Sequence, residues 1–329
     1  MKDWRHIVRE VYPDCRLLDA ALVYPRTDSG WNVETVHPDS ITENKLIINM
    51  QDHLTYSPEF KFPVELEKLW IYLNTFDTVD FDDVIAIVEC PITDWPQDRF
   101  RVISWSSFLY EDWCANKHSE HRLRSEFADA HRSLEYYTVC PMRHNRPHRE
   151  LLYNRLNPQY NNCSLQSSGY ELQYDNLTFE QYEHCYDNLA NLFSNKKNYL
   201  TAGFVTVAES QYSVTHGVIT EKTMHAIIAG MPFFVLGHRG ILSEIKQLGF
   251  KTFEGIVDEN YDSQDDVQRL DEMLHSNRNI FEGLMNKSIL QQIIANTREI
   301  TEYNTEYYFN NFGNYLIDSL RRQLLETWS

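Results

Sequence analysis

The sequence predicts an α/β protein made of two domains that face each other across a cleft. The chain has 329 residues, which is more than one hydrophobic core usually organises. Short, continuous apolar runs recur in its first half, a pattern typical of strands buried on both faces of a parallel sheet. Its second half alternates strand and helix patterns in the order β-α-β-α-β, which implies a parallel sheet with right-handed crossovers.

The first half contains five predicted strands, with charged, helix-compatible segments between them. Between about residue 156 and residue 198 the chain turns polar, which indicates a connector with one helix in it. We predict a first domain at 1–150, a second at 151–310 and an amphipathic helix at 311–329 that is a candidate to pack on the first domain. The five strands are DAALVY at 19–24, KLIINM at 45–50, DVIAIVEC at 83–90, RFRVISW at 99–105 and LEYYTVC at 134–140.

The second half follows a clearer order around one well-marked helix. Thr220 suits the N-cap of this helix, and Ile219 and Met224 occupy the two positions of a hydrophobic staple. Gly230 and Pro232 end it. The predicted elements are strand FVTVAES at 204–210, helix TEKTMHAIIAG at 220–230, strand PFFVLG at 232–237, helix ILSEIKQLG at 241–249 and strand FKTFEG at 250–255.

Composition and charge exclude several classes of protein. The chain is 42% hydrophobic and 24% charged, as globular proteins are. Its start, MKDWRHIVREVYPDC, predicts neither a secretory signal nor an anchor, and no segment approaches the roughly 20 apolar residues that span a bilayer. The 6 cysteines show no CxxC spacing, which favours reduced thiols over a zinc site or a disulfide framework. We therefore expect a soluble, cytoplasmic protein with no membrane partner.

A basic segment interrupts a chain whose formal charge is −18. RHNRPHRELLYNR, at 143–155, holds four arginines and two histidines against one acid. Pro147 favours a helix start within it, and arginine offers the fork geometry that phosphate oxygens match. The segment therefore predicts an anion site, with a solvated helix start as the alternative. Its candidate residues are Arg143, Arg146, His148 and Arg149.

Polar residues follow two strands of the second half, at the edge where open parallel sheets bind ligands. Glu209 and Ser210 follow the first of these strands, and Gly237, His238, Arg239 and Gly240 follow the second. The predicted third strand adds Gly255, Asp258 and Glu259 to the same edge. The helix that starts near Thr220 directs free N–H groups to the same edge, which suits a diphosphate. A lysine opposes the dipole at a helix start, so Lys222 indicates a ligand, although it could also be surface decoration. For Glu209 a functional and a structural role both remain open. The first turn of this helix contributes the candidates Thr220, Glu221, Lys222 and Thr223.

These segments resemble the donor-binding part of fucosyltransferase-type and exostosin-like glycosyltransferases. In the segment at 207–237, Glu209 and Ser210 match a Glu-Asn-Ser motif that here lacks its Asn, and residues 220–222 match a Thr-Glu-Lys motif. Val218 stands where the family has an aromatic residue. HNRPHR and GFKTFEGIVDENYD are similar to segments of uncharacterised glycosyltransferase-like proteins of bacteria and large phages.

The resemblance implies the GT-B fold, in which two Rossmann-like domains bind the acceptor and the nucleotide-sugar respectively. The resemblance covers about residues 137–262, in the second half only, so it implies the donor side at 151–310 and leaves the acceptor side to the domain at 1–150, which has no recognised motif. It also implies that Glu221 and Lys222 bind ribose and phosphates, and that one of Arg143, Arg146 and Arg149 completes the phosphate clamp. A phage origin would make the compartment the host cytoplasm.

Sugar transfer requires positive groups at the departing diphosphate and a base at the acceptor hydroxyl. Asp52 and Glu89 follow apolar strands of the first domain and are candidate bases, and Glu209 is a third candidate catalytic carboxylate. Fixed cations can replace a metal, so we predict no metal and no cofactor, with the nucleotide-sugar as co-substrate. DFDD at 80–83 precedes a strand, and we interpret it as a turn.

Two alternatives remain open, and so does the acceptor, which is a glycan, a protein or a modified nucleic acid. The first alternative is a DNA-modifying glycosyltransferase that acts on hydroxymethylated bases through a basic lip at 117–132 and 143–155. The charge of −18 opposes it. The second is a non-catalytic protein that binds a nucleotide-sugar or glycan, which Val218 favours.

Overall fold

The computed structural model describes residues 4–19, 45–49, 84–88, 100–128, 132–142, 146–165, 189, 191–213 and 217–327. It contains two four-stranded sheets in which all pairings are parallel, and this confirms the predicted α/β class. The chain divides into two compact units, Met1–Tyr110 with Asn314–Ser329, and Glu111–Gly313. Within the described ranges, no helix has the length and apolar character that a membrane span requires.

The first unit is built on a sheet with the strand order β1-β2-β3-β4. All five residues of the inner strand β3 are buried, as expected for a strand with neighbours on both sides. The ring of Trp4 packs on that of Trp105 at 5.4 Å between centroids. The elements are α1 (Trp4–Val11), β1 (Cys15–Asp19), β2 (Lys45–Asn49), β3 (Val84–Val88) and β4 (Arg101–Ser104).

The second unit is built on a sheet with the order β6-β5-β7-β8. Its strands are β5 (Tyr136–Met142), β6 (Asn161–Leu165), β7 (Ala202–Ala208) and β8 (Phe233–Leu236). All seven residues of β7 are buried. Phe204 and Phe234 on adjacent strands have ring centroids 5.4 Å apart, and burying each such side chain contributes about 1.5–3 kcal/mol.

The remaining described elements are helices, and most of them lie in the second unit. Short π-helical turns at Arg124–Ala128 and Tyr308–Phe312 and a 3-10 turn at Asn260–Ser263 interrupt them. The helices are α2 (Ser107–His118), α3 (Glu120–Leu123), α4 (Pro147–Arg155), α5 (Lys196–Leu200), α6 (Glu221–Ile228), α7 (Ile241–Gln247), α8 (Asp266–Ser276), α9 (Arg278–Phe281), α10 (Lys287–Tyr307) and α11 (Gly313–Thr327).

Helix α11 packs within the first unit, although it follows the second unit along the chain. Trp105 Nε1 donates to the carbonyl of Leu316 at 2.7 Å, and the Tyr12 hydroxyl donates to that of Leu324. The chain therefore passes from the first unit to the second and back. The boundary predicted near residue 150 lies inside the second unit, because β5 pairs with β7 there.

The predicted third strand of the second half, FKTFEG, is wrong: residues 250–255 form no strand beyond an isolated bridge between Glu254 and Val257. Side chains take the hydrogen bonds that a neighbouring strand would make. The amide of Lys251 donates to Asn304 Oδ1 at 2.8 Å, and that of Phe253 donates to a Glu259 carboxylate oxygen at 2.6 Å.

Strand β6 lies in the segment predicted to be a polar connector. Its first residue, Asn161, is buried but has partners for its side chain. Its Oδ1 accepts from the Thr138 hydroxyl at 2.7 Å, and its Nδ2 donates to the Phe281 carbonyl at 2.8 Å. A polar strand is therefore tolerated at this edge of the sheet. Residues 20–24 of the strand predicted at 19–24 lie outside the described ranges, and β1 ends at Asp19.

Candidate functional site

The strand order of the second unit reverses between β5 and β7. From β5 the chain passes through α4 to β6 on one side, and β7 and β8 lie on the other side. In open α/β sheets, such a reversal opens a crevice at the carboxyl ends of the two strands, where ligands bind. The residues that follow β5 and β7 therefore form the candidate site.

Three side chains at the start of α4 contact three consecutive backbone carbonyls at the end of β7. Carbonyls at a strand end lie beyond the sheet ladder and need other partners. These contacts connect the start of α4, which follows β5, to the backbone at the end of β7. They are Arg149 Nη2 to Ala208 O at 2.9 Å, His148 Nε2 to Glu209 O at 2.9 Å and Arg146 Nη1 to Ser210 O at 2.7 Å.

The two arginines of this set differ in exposure. Arg149 is 1% exposed, and both its Nε and its Nη2 donate to Ala208 O. Arg146 is only partly buried. Burial lowers the pKa of both guanidinium groups from the ordinary arginine value. Arg149 thus holds the fold, while Arg146 has part of its surface open to a ligand.

His148 is neutral near pH 7 and has a defined tautomer. Burial lowers its pKa to about 4, and neighbouring Arg149 and Arg146 act in the same direction. Because the Glu209 carbonyl only accepts hydrogen bonds, His148 Nε2 must carry the proton. The imidazole also stacks on Tyr212, with centroids 5.0 Å apart and the planes at 18°. These contacts hold the α4 start against the loop after β7.

The carboxylate of Glu209 is fully buried and holds the start of α6. Its Oε1 accepts from the Thr220 amide at 3.1 Å and from the Thr223 hydroxyl at 2.7 Å. Its Oε2 accepts from the Thr220 hydroxyl at 2.5 Å. Thr220 occupies the predicted N-cap position, but its hydroxyl bonds Glu209 in place of the helix backbone. Glu209 therefore positions the first turn of α6.

Lys222 donates to three acceptors at the edge of the site. Its Nζ lies 2.7 Å from Glu221 Oε1, 3.0 Å from Thr220 Oγ1 and 3.2 Å from Ser210 Oγ. The Lys222 side chain is 22% exposed. Since Arg146 donates to the carbonyl of the same Ser210, two cationic side chains meet at one residue.

Glu221 is ionised at every physiological pH. Burial by itself would raise its pKa, but the charge and hydrogen bond of Lys222, with smaller contributions from His225 and a backbone hydrogen bond, outweigh burial and lower the pKa to about 2. His225, one helical turn further, is buried, and burial lowers its pKa to about 4. Its Nε2 has no hydrogen-bond partner among the residues that the structure describes. A neutral His225 therefore cannot serve as a counter-ion for Glu221 near pH 7.

A buried arginine from α8 donates hydrogen bonds to the backbone that follows β7 and β8. Arg269 donates to the carbonyls of Tyr212, at 3.3 Å, and Gly237, and its guanidinium carbon lies 4.8 Å from the Tyr212 ring centroid. Gly237 lies beside the site, since a Cβ there would be 3.4 Å from Glu209 Cβ. The loop after β8 is held by Asp262, whose Oδ2 accepts from the Leu242 amide at 3.1 Å.

The structure brings most of the predicted site residues together. Asp52, Glu89 and Arg143 lie outside the described residues. Sequence reasoning missed Tyr212 and Arg269. Arg269 had a signal, because it is the one basic residue within the acidic stretch at 254–272. The residues brought together are Arg146, His148, Arg149, Glu209, Ser210, Thr220, Glu221, Lys222 and Thr223, with Gly237 beside them.

The described part of this cluster is cationic. It contains the cations of Arg146, Arg149 and Lys222 and the carboxylates of Glu209 and Glu221, so its formal charge is +1 in a chain of −18. Partly buried cations with hydrogen-bond donors at a crevice favour an anionic ligand. Among the residues that the structure describes, no group of three or more His, Cys, Asp or Glu side chains is arranged to hold a metal ion.

Comparison of the sequence with models of known protein families gives no match, and comparison with curated proteins gives none either.

Proposed function

We propose that the chain is a glycosyltransferase that moves a sugar from a nucleotide-diphosphate sugar to an acceptor hydroxyl. The observation that carries this proposal is the meeting of Arg146 and Lys222 at Ser210, on the carboxyl side of the reversal between β5 and β7. Such a reversal is where dinucleotides and related ligands bind in open α/β sheets. The resemblance of residues 207–237 to donor-binding segments supports the same ligand.

In this proposal the cations of the site act on the leaving group. When the anomeric bond breaks, negative charge collects on the nucleoside diphosphate, and fixed cations stabilise it without a metal ion. Arg146 and Lys222 take this role, and Glu221 accepts hydrogen bonds from ribose hydroxyls. Glu209 is a positioning residue and not the base, because its carboxylate is buried and already accepts three hydrogen bonds.

The proposal includes the GT-B architecture of two Rossmann-like domains, in which the first unit would supply the acceptor site and the base. Asp52 and Glu89 stay predictions for that base. The acceptor is a hydroxyl of a glycan, a protein or a modified nucleic acid.

Replacing Lys222 by alanine should weaken nucleoside diphosphate binding by about 10-fold to 150-fold, because one charge-assisted hydrogen bond contributes about 1.5–3 kcal/mol. Isothermal titration with a panel of nucleotide-sugars and nucleoside diphosphates measures this loss. Lys197→Ala is the matched control, since Lys197 is exposed on α5 of the same unit. Unchanged affinity in a folded Lys222→Ala protein would refute the donor site.

Replacing Arg146 by alanine should reduce turnover more than ground-state binding, since its charge acts on a leaving group that forms in the transition state. Donor hydrolysis and sugar transfer measure this difference, with Arg155→Ala on the same helix as control. A salt titration of DNA binding runs beside them. Full turnover combined with lost DNA affinity would favour the DNA-modifying alternative, and donor binding without any turnover would favour the non-catalytic one.

A further inference from the structure

The ammonium of Lys222 has no free hydrogen-bond donor. A lysine ammonium carries three N–H donors. In Lys222 these have three acceptors within 3.2 Å: Glu221 Oε1, Thr220 Oγ1 and Ser210 Oγ. The shortest of the three contacts, 2.7 Å, is with the ionised carboxylate of Glu221. An incoming phosphate must therefore replace a contact that the protein already makes.

The Glu221–Lys222 ion pair is partly buried. The two side chains are 18% and 22% exposed, whereas many surface ion pairs are far more exposed and contribute little. Glu221 keeps its negative charge throughout the physiological range, with a pKa of about 2. The competition between Glu221 and a phosphate for Lys222 is therefore present at every pH at which the protein works.

Two other basic residues near Glu221, Arg149 and His225, are poorly placed to replace Lys222. Burial lowers the pKa of Arg149 and the charge of Glu221 partly offsets this, but the Arg149 guanidinium is 1% exposed and donates to Ala208 O. His225 is uncharged near pH 7, because burial lowers its pKa to about 4. If a phosphate takes the Lys222 ammonium, Glu221 loses its ion-pair partner in a partly buried place.

We propose that Glu221 acts as an internal competitor for Lys222 and selects nucleotides against free phosphate and pyrophosphate. A free anion binds the Lys222 ammonium, and the Glu221 carboxylate then loses its partner without gaining a new one. A nucleotide brings hydroxyl groups that can donate to the released carboxylate, so it recovers much of the lost interaction. The part of this inference that concerns nucleotides rests on the proposed function. The part that concerns free phosphate and pyrophosphate does not. Selectivity of this kind works by penalising the wrong ligand.

The test compares pyrophosphate with nucleoside diphosphates on the intact wild-type protein and on Glu221→Gln. Glutamine keeps the size and one acceptor oxygen of Glu221 but removes its charge. We expect Glu221→Gln to bind pyrophosphate about 10-fold more tightly or better, and to bind nucleoside diphosphates no better than the wild type does. Glu282→Gln is the control, because Glu282 is exposed elsewhere in the second unit and its replacement changes the net charge equally.

The outcomes separate this inference from the proposed function. Unchanged or weaker pyrophosphate binding by folded Glu221→Gln, or an equal gain in Glu282→Gln, would overturn the inference. Tighter pyrophosphate binding by Glu221→Gln, in a protein that binds no nucleoside diphosphate, would support the competition at Lys222 and refute the proposed function. Should Glu221→Gln fail to fold, Glu221→Ala must show the same gain for the inference to stand.

Discussion

Replacing Glu209 by alanine should destabilise the carboxyl edge of β7 by about 3–5 kcal/mol, because it removes three charge-assisted hydrogen bonds from a buried site. The Thr220 amide and the hydroxyls of Thr220 and Thr223 would then lack acceptors. Hydrogen exchange followed by mass spectrometry should show the loss of protection in peptides from β7 and α6. A local measurement suits this chain, since two compact units need not unfold as one.

The alanine result requires two comparisons. Glu209→Gln should lose less protection than Glu209→Ala, because its amide oxygen can still accept hydrogen bonds. Some loss should remain, because its NH2 group cannot accept from the Thr220 hydroxyl. Glu150→Ala, at an exposed position on α4, should leave the same peptides protected. Wild-type protection of α6 in Glu209→Ala would show that the carboxylate does not hold this helix. It would also return Glu209 to the list of candidate bases.

The sequence predicted the α/β class because the inner strands are apolar on both faces. Strands β3 and β7 are buried along their whole length, and a parallel sheet needs that pattern. The segment FKTFEG has the same apolar, aromatic character, but its amides bond to Asn304 and Glu259. Local patterns cannot distinguish these two cases, because the partners that decide between them lie on other elements.

The sequence could predict those parts of the candidate site that depend on residues close together along the chain. The start of α6 carries its own signals, so Thr220, Glu221 and Lys222 could be placed at a sheet edge from spacing alone. The role of Glu209 could not be predicted, because a carboxylate after a strand serves a ligand and a helix start equally well. Its contacts with Thr220 and Thr223 span 11 and 14 positions along the chain.

The order of the strands in the sheet also could not be predicted from the sequence pattern. Nothing local indicates that β7 pairs with β5 and not with β6, yet this pairing creates the reversal and brings α4 to the end of β7. The basic segment at 143–155 was predicted to hold an anion site, with its arginines as one set of candidates and no decision among them. The structure divides that set, because Arg149 is buried against Ala208 while Arg146 retains exposed surface.

Acidification should destabilise the second unit between pH 6.5 and pH 4, because His148 and His225 are buried in their neutral form. Burial lowers the pKa of each from 6.5 to about 4. The unfolded chain therefore binds two protons in this window that the folded chain does not, and stability falls as the pH drops. The difference corresponds to about 3 kcal/mol for each histidine.

Asp262 opposes this loss in part. Burial raises its pKa from 3.8 to about 6, so the folded chain binds a proton that the unfolded chain releases, and acidification through this range stabilises the fold. Its contribution is also about 3 kcal/mol. Glu221, with a pKa of about 2, loses its contribution only below pH 4.5. For His148, His225 and Asp262 together the sum is a net loss of about 3 kcal/mol between pH 6.5 and pH 4, and burial of Glu259, which raises its pKa, reduces that loss.

Hydrogen exchange of α6 and β8 peptides, with urea denaturation of the intact chain, should measure this pH dependence. His225→Leu should remove about 3 kcal/mol of the acid loss and cost little at pH 7, because it also removes a buried Nε2 for which the described part of the chain offers no hydrogen-bond partner. Asp262→Asn should instead make the acid loss steeper. His275→Leu, at an exposed position on α8, should leave the profile unchanged. A wild-type profile for His225→Leu would mean that this histidine does not titrate on unfolding, and the acid sensitivity would then need another source.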